Sequence, residues 1–117
     1  MAVLSQLVDD VVVTTFELDR PRTRVGRQSD NDIRIDEISV SGKHALIEAE
    51  ENPFLEGAMD FYINDTQSTN GTFVNDNRVN GRTRLNSNDL VRIGWNLFRF
   101  VDEDELSLEK TAYILEE

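Results

Sequence analysis

Short stretches in which apolar and polar residues alternate recur along the chain, and they predict β-strands. In the stretch DIRID, Ile33 and Ile35 share one face while charged residues occupy the other, which is the twofold period of a half-buried strand. Turn-forming residues separate the stretches, among them Asn80-Gly81, because both residues tolerate a positive φ. Comparable alternating or β-branched stretches are VVVTTFEL (11–18), RTRVGR (22–27), HALIEAE (44–50), DFYIND (60–65), GTFVN (71–75), LVRIG (90–94) and LFRFV (97–101).

The number and spacing of these stretches predict an all-β fold, either a sandwich or a barrel. Two segments depart from the pattern: ENPFLEGAM (51–59) predicts a loop, and the acidic DEDELSLEK (102–110) predicts a short helix or a loose tail. The chain has 117 residues, which suits a single folded core, and it shows no internal repeat and no linker. We therefore expect one domain over residues 1–101 and an acidic C-terminal tail over residues 102–117.

Composition and charge narrow the classes of function. The chain contains no cysteine, which excludes disulfides and thiolate metal sites, and its formal charge of −11 opposes binding to nucleic acid or to an anionic membrane. The N-terminal stretch lacks the basic start of a signal peptide, and no apolar run approaches the roughly 18 residues of a membrane helix. We expect a cytoplasmic protein without nucleic-acid or membrane partners, and the initial methionine favours a small free-standing adaptor.

The charges are unevenly distributed along the chain. Residues 20–43 carry six basic and four acidic side chains, and residues 67–100 carry five basic and two acidic ones, whereas the remaining segments are strongly acidic. This distribution fits ordinary surface mixing, and it equally fits two basic segments that meet in space to form a small anion site.

The single histidine, His44, lies three residues after Ser41 and so raises the question of catalysis. Residues three apart on a strand point to opposite faces, so the two side chains do not meet as nucleophile and base unless a turn intervenes. The chain has no G-x-S-x-G motif, no P-loop and no complete calcium loop, and one histidine without cysteine cannot form a zinc site without carboxylates. We therefore expect no enzyme, no metal site and no cofactor.

Three polar loops at the ends of the predicted strands favour binding of an anion instead. Gly26-Arg27 ends one strand, Ser41-Gly42-Lys43 precedes another, and STNG (68–71) precedes a third. Arginine, serine and threonine side chains and loop N–H groups donate well to a phosphate, which carries about −1.5 to −2 charge and three strong acceptor oxygens. Loops at one end of a sandwich are a common place for binding residues, so the three loops predict a phosphate site.

Taken in order, Gly-Arg, Ser-x-x-His and Ser-Thr-Asn-Gly-Thr resemble the motifs of the forkhead-associated (FHA) domain. The segments RVGRQSDNDIRI, ISVSGKHALIE, NDTQSTNGTFVN and LNSNDLVRIGWNLFRF all fit this family, and the resemblance covers about residues 10 to 101. It implies an FHA-type sandwich of about eleven strands whose loops at one end bind phosphothreonine peptides.

The resemblance implies a role for each matching residue. Arg27 corresponds to the phosphate-binding arginine, Ser41 to the loop serine that bonds the phosphate, and Thr69 to a second hydroxyl or N–H contributor. Asn70 corresponds to the asparagine that grips the peptide backbone. His44 corresponds to a structural residue that braces the loops, which makes it a buried scaffold residue and not a catalytic one.

The glycines complete the implied site. Gly26 and Gly71 match positions where backbones turn or approach closely. Gly42 departs from the family, because many members carry arginine or asparagine after the loop serine; the change removes a peptide contact but lets a ligand approach the backbone. Lys43 either supplies charge there or faces solvent. The predicted phosphopeptide-binding residues are Arg27, Ser41, Gly42, Lys43, Thr69 and Asn70, supported by Gly26, His44 and Gly71.

The resemblance implies that the protein recognises phosphothreonine in a Ser/Thr-kinase pathway or in phosphorylation-dependent assembly. A pocket for the threonine methyl group would be worth roughly 1 kcal/mol, and Asn75–Arg82 and the loop before Asp30 are candidate surfaces for reading the rest of the peptide. The alternative is a protein-interaction scaffold of the same fold that works without phosphate.

The tail contains a candidate phosphorylation site of its own. Thr111 precedes Ile114 by three residues, and FHA domains commonly read the third residue after the phosphothreonine. Phosphorylated Thr111 would then dock either into its own domain as a latch or into a neighbour, giving self-association. The competing interpretation is that Ala112 to Leu115 pack on the sandwich as an additional strand and that Thr111 stays unmodified.

Overall fold

The computed structural model describes residues 1–104, and within this range it forms eleven strands. The all-β prediction is therefore confirmed. The strands are β1 (Ala2–Val8), β2 (Val11–Glu17), β3 (Arg22–Gly26), β4 (Ile33–Arg34), β5 (Ala45–Glu51), β6 (Met59–Asp65), β7 (Thr72–Val74), β8 (Asn77–Arg78), β9 (Thr83–Leu85), β10 (Leu90–Ile93) and β11 (Asn96–Asp102). Each alternating stretch of the sequence contains a strand, whereas β1, β8 and β9 were not predicted.

The strands form two sheets that face each other. The six-stranded sheet has the order β2-β1-β11-β10-β7-β8, and the five-stranded sheet has the order β4-β3-β5-β6-β9. Among the strands of residues 1–104, β3 and β4 pair in parallel and the other pairs are antiparallel. The predicted loop at 51–59 is the β5–β6 connection, with its first and last residues in the flanking strands.

Alternation along each strand sends one set of side chains into the space between the sheets. On β11, Phe98 and Phe100 are fully buried while Arg99 between them is exposed. Phe100 meets Phe61 of the opposite sheet with ring centroids 5.4 Å apart. The remaining large, fully buried aliphatic residues are Leu4, Val25, Ile47, Ile63, Leu85, Val91 and Ile93.

Several tight turns contain residues with a positive φ. Asp9 and Asp10 join β1 to β2 with φ of 51° and 64°, and Asn75 and Asp76 join β7 to β8 with φ of 49° and 67°. Two consecutive positive φ values match the twist of the flanking strands, and Asn and Asp tolerate them better than most residues. At Asn80-Gly81, where the sequence predicts a tight turn, the chain bends with a φ of 88° at Gly81, but the segment connects strands of different sheets and does not form a hairpin.

The direction of the strands separates two ends of the sandwich. β3 ends and β11 begins at the same end, where the residues after Gly26 meet the turn before Asn96; we call this the loop end. β1 begins and β11 ends at the other end, where Ala2 pairs with Asp102; we call this the exit end. The N-terminal amine bonds Asp104 there at 3.0 Å. Among residues 1–104, no helix is long and apolar enough to cross a membrane.

Candidate functional site

Two of the three predicted loops are joined directly by their backbones at the loop end. The N–H of Arg27 donates to the carbonyl of Ser41 at 2.9 Å, and the N–H of Gln28 donates to that of Gly42 at 3.2 Å. A Cβ added at Gly26 would lie 2.3 Å from the Gly42 carbonyl oxygen. Because no side chain fits that gap, Gly26 is what allows the β3–β4 and β4–β5 loops to approach each other.

Asn31 strengthens the same junction. Its side-chain amide donates to the carbonyls of Gln28 and Gly42, both at 2.8 Å. The sequence did not single out Asn31, since an asparagine in a polar turn is too common to indicate a long-range contact.

His44 joins the β4–β5 loop to the β6–β7 loop from below. The side chain is fully buried, and its Nδ1 accepts the N–H of Ser41 at 3.0 Å. Because Nδ1 accepts, Nε2 carries the proton and donates to the carbonyl of Gly71 at 2.9 Å. Both ring nitrogens are thus used by the backbone, so the imidazole holds the two loops and is not positioned to act on a ligand.

Asp65 organises the β6–β7 loop. Its carboxylate accepts the hydroxyl of Ser68 at 2.5 Å, the hydroxyl of Thr72 at 2.8 Å and the N–H of Ser68 at 3.1 Å. Burial works to raise the pKa of Asp65, but these donated bonds outweigh it and the pKa lies below its ordinary value. Ser68 in turn fixes the position of Gly71, because its hydroxyl oxygen accepts the N–H of Gly71 at 3.0 Å.

Above this scaffold, the three loops surround a polar depression that opens to solvent. Its walls come from the β3–β4, β4–β5 and β6–β7 loops and from β4: Arg27, Gln28, Arg34, Asp36, Ile38, Ser39, Val40, Ser41, Gly42, Thr69 and Asn70. Five of the six predicted binding residues line it. The hydroxyl oxygen of Ser41 accepts the N–H of Thr69 at 3.1 Å, which leaves the Ser41 hydrogen free to be donated into the depression.

A second arginine lies beside the predicted one. Arg34 points outward from β4, and its Nε donates to the backbone carbonyl of Arg27 at 3.1 Å. The carboxylate of Asp36 lies between the two guanidinium groups, 3.8 Å from Nε of Arg27 and 3.7 Å from Nη2 of Arg34. All three side chains are at least half exposed, so water screens these pairs and each is weak. The alternation of DIRID predicts that Arg34 faces outward, but not that it lies beside Arg27.

The remaining predicted residues are placed differently. Asn70 lines the depression while its amide group donates to the carbonyl of Ser39 at 2.8 Å, which ties the loops together. Lys43 does not line the depression; it lies on the neighbouring face with Arg22 and Arg24, so we do not place it in the site. Gly71 has a φ of 86°, which a residue with a side chain would adopt only with strain.

The two segments that were predicted to contact the rest of the peptide lie in different parts of the fold. The Asn75–Asp76 turn follows the end of β7 that points away from the depression, and Asn75 bonds Leu90 and Asp89 there. Arg78 returns to the loop end, with its guanidinium close to Gly71. The loop before Asp30 contributes Gln28 to the depression. Thr111 and the interpretations that depend on it lie outside the described residues.

Comparison with known proteins gives one consistent family. The sequence model of the FHA domain matches residues 23–94. The glycogen accumulation regulator GarA of Mycolicibacterium smegmatis is 40% identical over 79 residues, which are 68% of this chain and 45% of GarA. The transcriptional regulatory protein EmbR of Mycobacterium tuberculosis is 35% identical over 85 residues, which are 73% of this chain and 20% of EmbR. The chain therefore spans less than half the length of these two relatives.

Solved structures agree with the sequence comparison. The FHA domain of CT664 from Chlamydia trachomatis superposes with a TM-score of 0.73 at 27% identity, covering 86% of this chain and 96% of that one. Mycobacterium tuberculosis EmbR, solved in complex with a low-affinity phosphopeptide, superposes with a TM-score of 0.71 at 32% identity, covering 86% of this chain and 24% of that one.

Proposed function

Because this chain belongs to the FHA domain family, we propose that it is a non-catalytic reader of phosphothreonine peptides in a cytoplasmic Ser/Thr-kinase pathway. The observation that carries the proposal is the convergence of Arg27, Ser41 and Thr69 on one depression whose loops are held by hydrogen bonds to the buried His44 and to Ser41. The complex of EmbR with a phosphopeptide supports the assignment of ligand class.

In this proposal the phosphate binds between Arg27 and Ser41. The Arg27 guanidinium supplies charge-assisted hydrogen bonds, which are stronger than neutral ones. The Ser41 hydroxyl donates its free hydrogen, and the exposed Thr69 adds a second hydroxyl. Arg34 provides a further cation on the same side, which compensates for the basic or amide side chain that Gly42 lacks.

The test is an NMR titration of the labelled chain with matched peptides that carry phosphothreonine, phosphoserine or unmodified threonine. We expect shifts at Arg27, Ser41 and Thr69 with the phosphothreonine form and weaker or no shifts with the others. Arg27→Ala should require roughly 10- to 150-fold more peptide to produce the shifts at Ser41 and Thr69, while Arg99→Ala, which removes an exposed arginine from the middle of β11, should not. Silence from a diverse phosphothreonine panel would contradict the proposal and favour the phosphate-independent scaffold.

We also propose that the tail supplies one of the ligands. The described chain ends at Asp104 at the exit end, and seven further residues reach Thr111, a span of at most about 25 Å. The strand β11 alone separates the two ends by about 24 Å from Trp95 to Asp102. Phosphorylated Thr111 could reach the loop end of its own domain only when fully extended, so docking into a neighbouring molecule is favoured over a latch.

Measurements of mass and peptide affinity on the phosphorylated chain of residues 1–117 distinguish docking into a neighbour from a latch. Docking into a neighbour predicts that the phosphorylated chain has a larger mass than Thr111→Ala at the same concentration. A latch predicts the same mass for both proteins and a lower affinity of the phosphorylated chain for an added phosphopeptide than that of Thr111→Ala. Equal peptide affinity and equal mass in both proteins would contradict any role for Thr111.

A further inference from the structure

The dipeptide Asn-Gly occurs twice in the chain, as Asn70-Gly71 and as Asn80-Gly81. The side-chain amide of an asparagine can react with the backbone nitrogen of the next residue. A following glycine favours this reaction, because it has no Cβ to obstruct the approach. The two asparagines therefore have the same susceptibility by sequence, and a difference between them has to come from the structure.

The reaction is deamidation, and it consumes water. The glycine N–H loses its proton to a base, and its nitrogen attacks Cγ of the asparagine side chain. The new N–Cγ bond closes a succinimide ring, while the Cγ–Nδ2 bond breaks and ammonia leaves with a proton from water. Water then opens the ring at either carbonyl, which gives aspartate or isoaspartate. Hydrogen bonds from the glycine N–H or the asparagine amide slow the reaction, because they must break before the ring closes.

At Asn70-Gly71, hydrogen bonds hold both reacting groups. The N–H of Gly71 donates to the hydroxyl oxygen of Ser68 at 3.0 Å. The amide nitrogen of Asn70 donates to the carbonyl of Ser39 at 2.8 Å. Gly71 is also buried, and a Cβ placed on it would lie 3.0 Å from the ring of Phe73. The backbone here has little room to move, so ring closure requires the β6–β7 loop to open first.

The Asn80-Gly81 pair is open to solvent. Both residues are exposed, and within residues 1–104 neither the Asn80 amide nor the Gly81 N–H has a hydrogen-bond partner. A Cβ placed on Gly81 would meet nothing within 4 Å. The pair follows the buried Val79 and precedes β9. The chain is thus anchored on both sides, while the reacting atoms themselves are accessible to water and base.

We propose that Asn80 is a site of spontaneous deamidation and that the structure protects Asn70 from the same reaction. The hydrogen bonds to Ser68 and Ser39 provide the protection. Because two hydrogen bonds must break before the ring closes at Asn70, we expect Asn80 to react roughly 30-fold faster.

The difference between the two asparagines matters for the depression, which Asn70 lines. Deamidation of Asn70 would add a carboxylate beside the phosphate of the proposed ligand, and the two negative groups would repel each other. At Asn80 the same reaction adds a negative charge to the exposed segment between β8 and β9, outside the residues that line the depression. The hydrogen bonds that shape the β6–β7 loop thus have a second role, which is the chemical protection of Asn70.

Peptide mapping by mass spectrometry tests the proposal, which does not depend on phosphopeptide binding. The folded chain is incubated at neutral to mildly alkaline pH, and aspartate and isoaspartate are quantified at both positions over time. We expect product at Asn80 well before product at Asn70. In urea, which removes the hydrogen bonds of the fold, the two rates should become similar. That comparison separates the effect of the structure from the effect of the dipeptide.

Substitution of Ser68 tests the protection directly. Ser68→Ala removes the acceptor of the Gly71 N–H, so it should raise the rate at Asn70 by roughly fivefold and leave the rate at Asn80 unchanged. The control is Ser29→Ala in the exposed β3–β4 loop, which should change neither rate. Unfolding curves establish that the Ser68→Ala chain is folded, so that a faster reaction reports the lost bond and not a lost fold.

Hydrogen exchange of the parent chain supplies a measurement that needs no substitution. The Gly81 N–H should exchange with solvent much faster than the Gly71 N–H. Three results would overturn the proposal: a rate at Asn70 that equals or exceeds the rate at Asn80 in the folded chain, equal exchange of the two glycine N–H groups, or an unchanged rate at Asn70 in folded Ser68→Ala.

Discussion

The buried scaffold of the loop end and the depression above it are built on opposite physical principles. In the scaffold, His44 and Asp65 use nearly all their polar atoms on short bonds to neighbouring loops. In the depression, Arg27 and Arg34 are about half exposed and lie 3.7–3.8 Å from Asp36, and the side-chain bond that Arg34 makes is to the Arg27 carbonyl at 3.1 Å. The comparison shows that different residues order the loops and remain available for binding. The scaffold fixes where the loops lie, and the side chains of the depression are left free for a ligand.

The largest effect is expected from a substitution in the scaffold at the point where two backbones are in contact. Gly26→Ala places a Cβ 2.3 Å from the Gly42 carbonyl, which the loops can relieve only by moving apart. We expect a loss of about 3 kcal/mol or more in unfolding free energy, together with loss of peptide binding. Urea denaturation measures it, with Gly57→Ala as control: a Cβ there meets nothing within 4 Å, but the φ of 79° strains a side chain by about 1–2 kcal/mol, so Gly26→Ala should cost clearly more. Stability equal to that of the parent chain would contradict the proposed close approach.

A substitution in the depression should affect phosphopeptide binding and leave stability unchanged. Arg27→Ala removes charge-assisted bonds to the phosphate worth about 1.5–3 kcal/mol, which corresponds to a roughly 10- to 150-fold loss of affinity. Because Arg27 is half exposed and makes no short side-chain bond to the scaffold, the unfolding free energy should change by less than about 0.5 kcal/mol. Calorimetric titration measures the affinity and denaturation of the same sample measures the stability. A variant that loses affinity and stability equally would show that the depression and the scaffold are not independent.

Asp65 allows the scaffold to be weakened gradually by pH. Its folded-state pKa is lowered, so its contribution to stability is complete above the pKa of the unfolded state and is lost as pH falls through the folded-state pKa. Asp65→Asn should cost about 1–2 kcal/mol at neutral pH, and the difference from the parent chain should shrink on acidification. Denaturation curves from neutral to acidic pH check this, with Asp30→Asn in an exposed loop as control; a difference that is constant with pH would be inconsistent with an ionised Asp65.

The smallest effect is expected from substitution of Asp36, whose carboxylate lies between Arg27 and Arg34. Asp36 lies within 4 Å of both Arg27 and Arg34, so in the proposed complex it would compete with the phosphate, and Asp36→Asn should raise phosphopeptide affinity by roughly two- to fivefold, in keeping with a weak exposed ion pair. Glu56→Gln makes the same charge change in the β5–β6 loop and should alter affinity less. The gain should fall at high salt, and an affinity that decreases would mean that Asp36 positions the arginines and does not compete for them.

The sequence predicted the parts of the molecule that depend on local pattern or on a recognisable motif. The strands with clear alternation, such as the one containing Phe98 and Phe100, and the loop residues Arg27, Ser41 and Thr69 could be identified this way. β8 and β9 could not, because they are short and, unlike β4 and β7, do not lie within a longer alternating stretch, so tertiary pairing sets them. Asn31 and Arg34 were missed for a related reason: their roles depend on which loop folds next to them.

The two ends of the sandwich also determine how the domain would carry force. A ligand held at the loop end and a chain leaving beyond Asp104 at the exit end pull β11 along its own length, between its neighbours β1 and β10. Hydrogen bonds in an antiparallel ladder lie across the strands, so such a pull loads the bonds of both ladders together and does not open them one by one. This is the direction in which a sheet resists tension best, so a load applied between the loop end and Asp102 would meet the most resistant arrangement of these bonds.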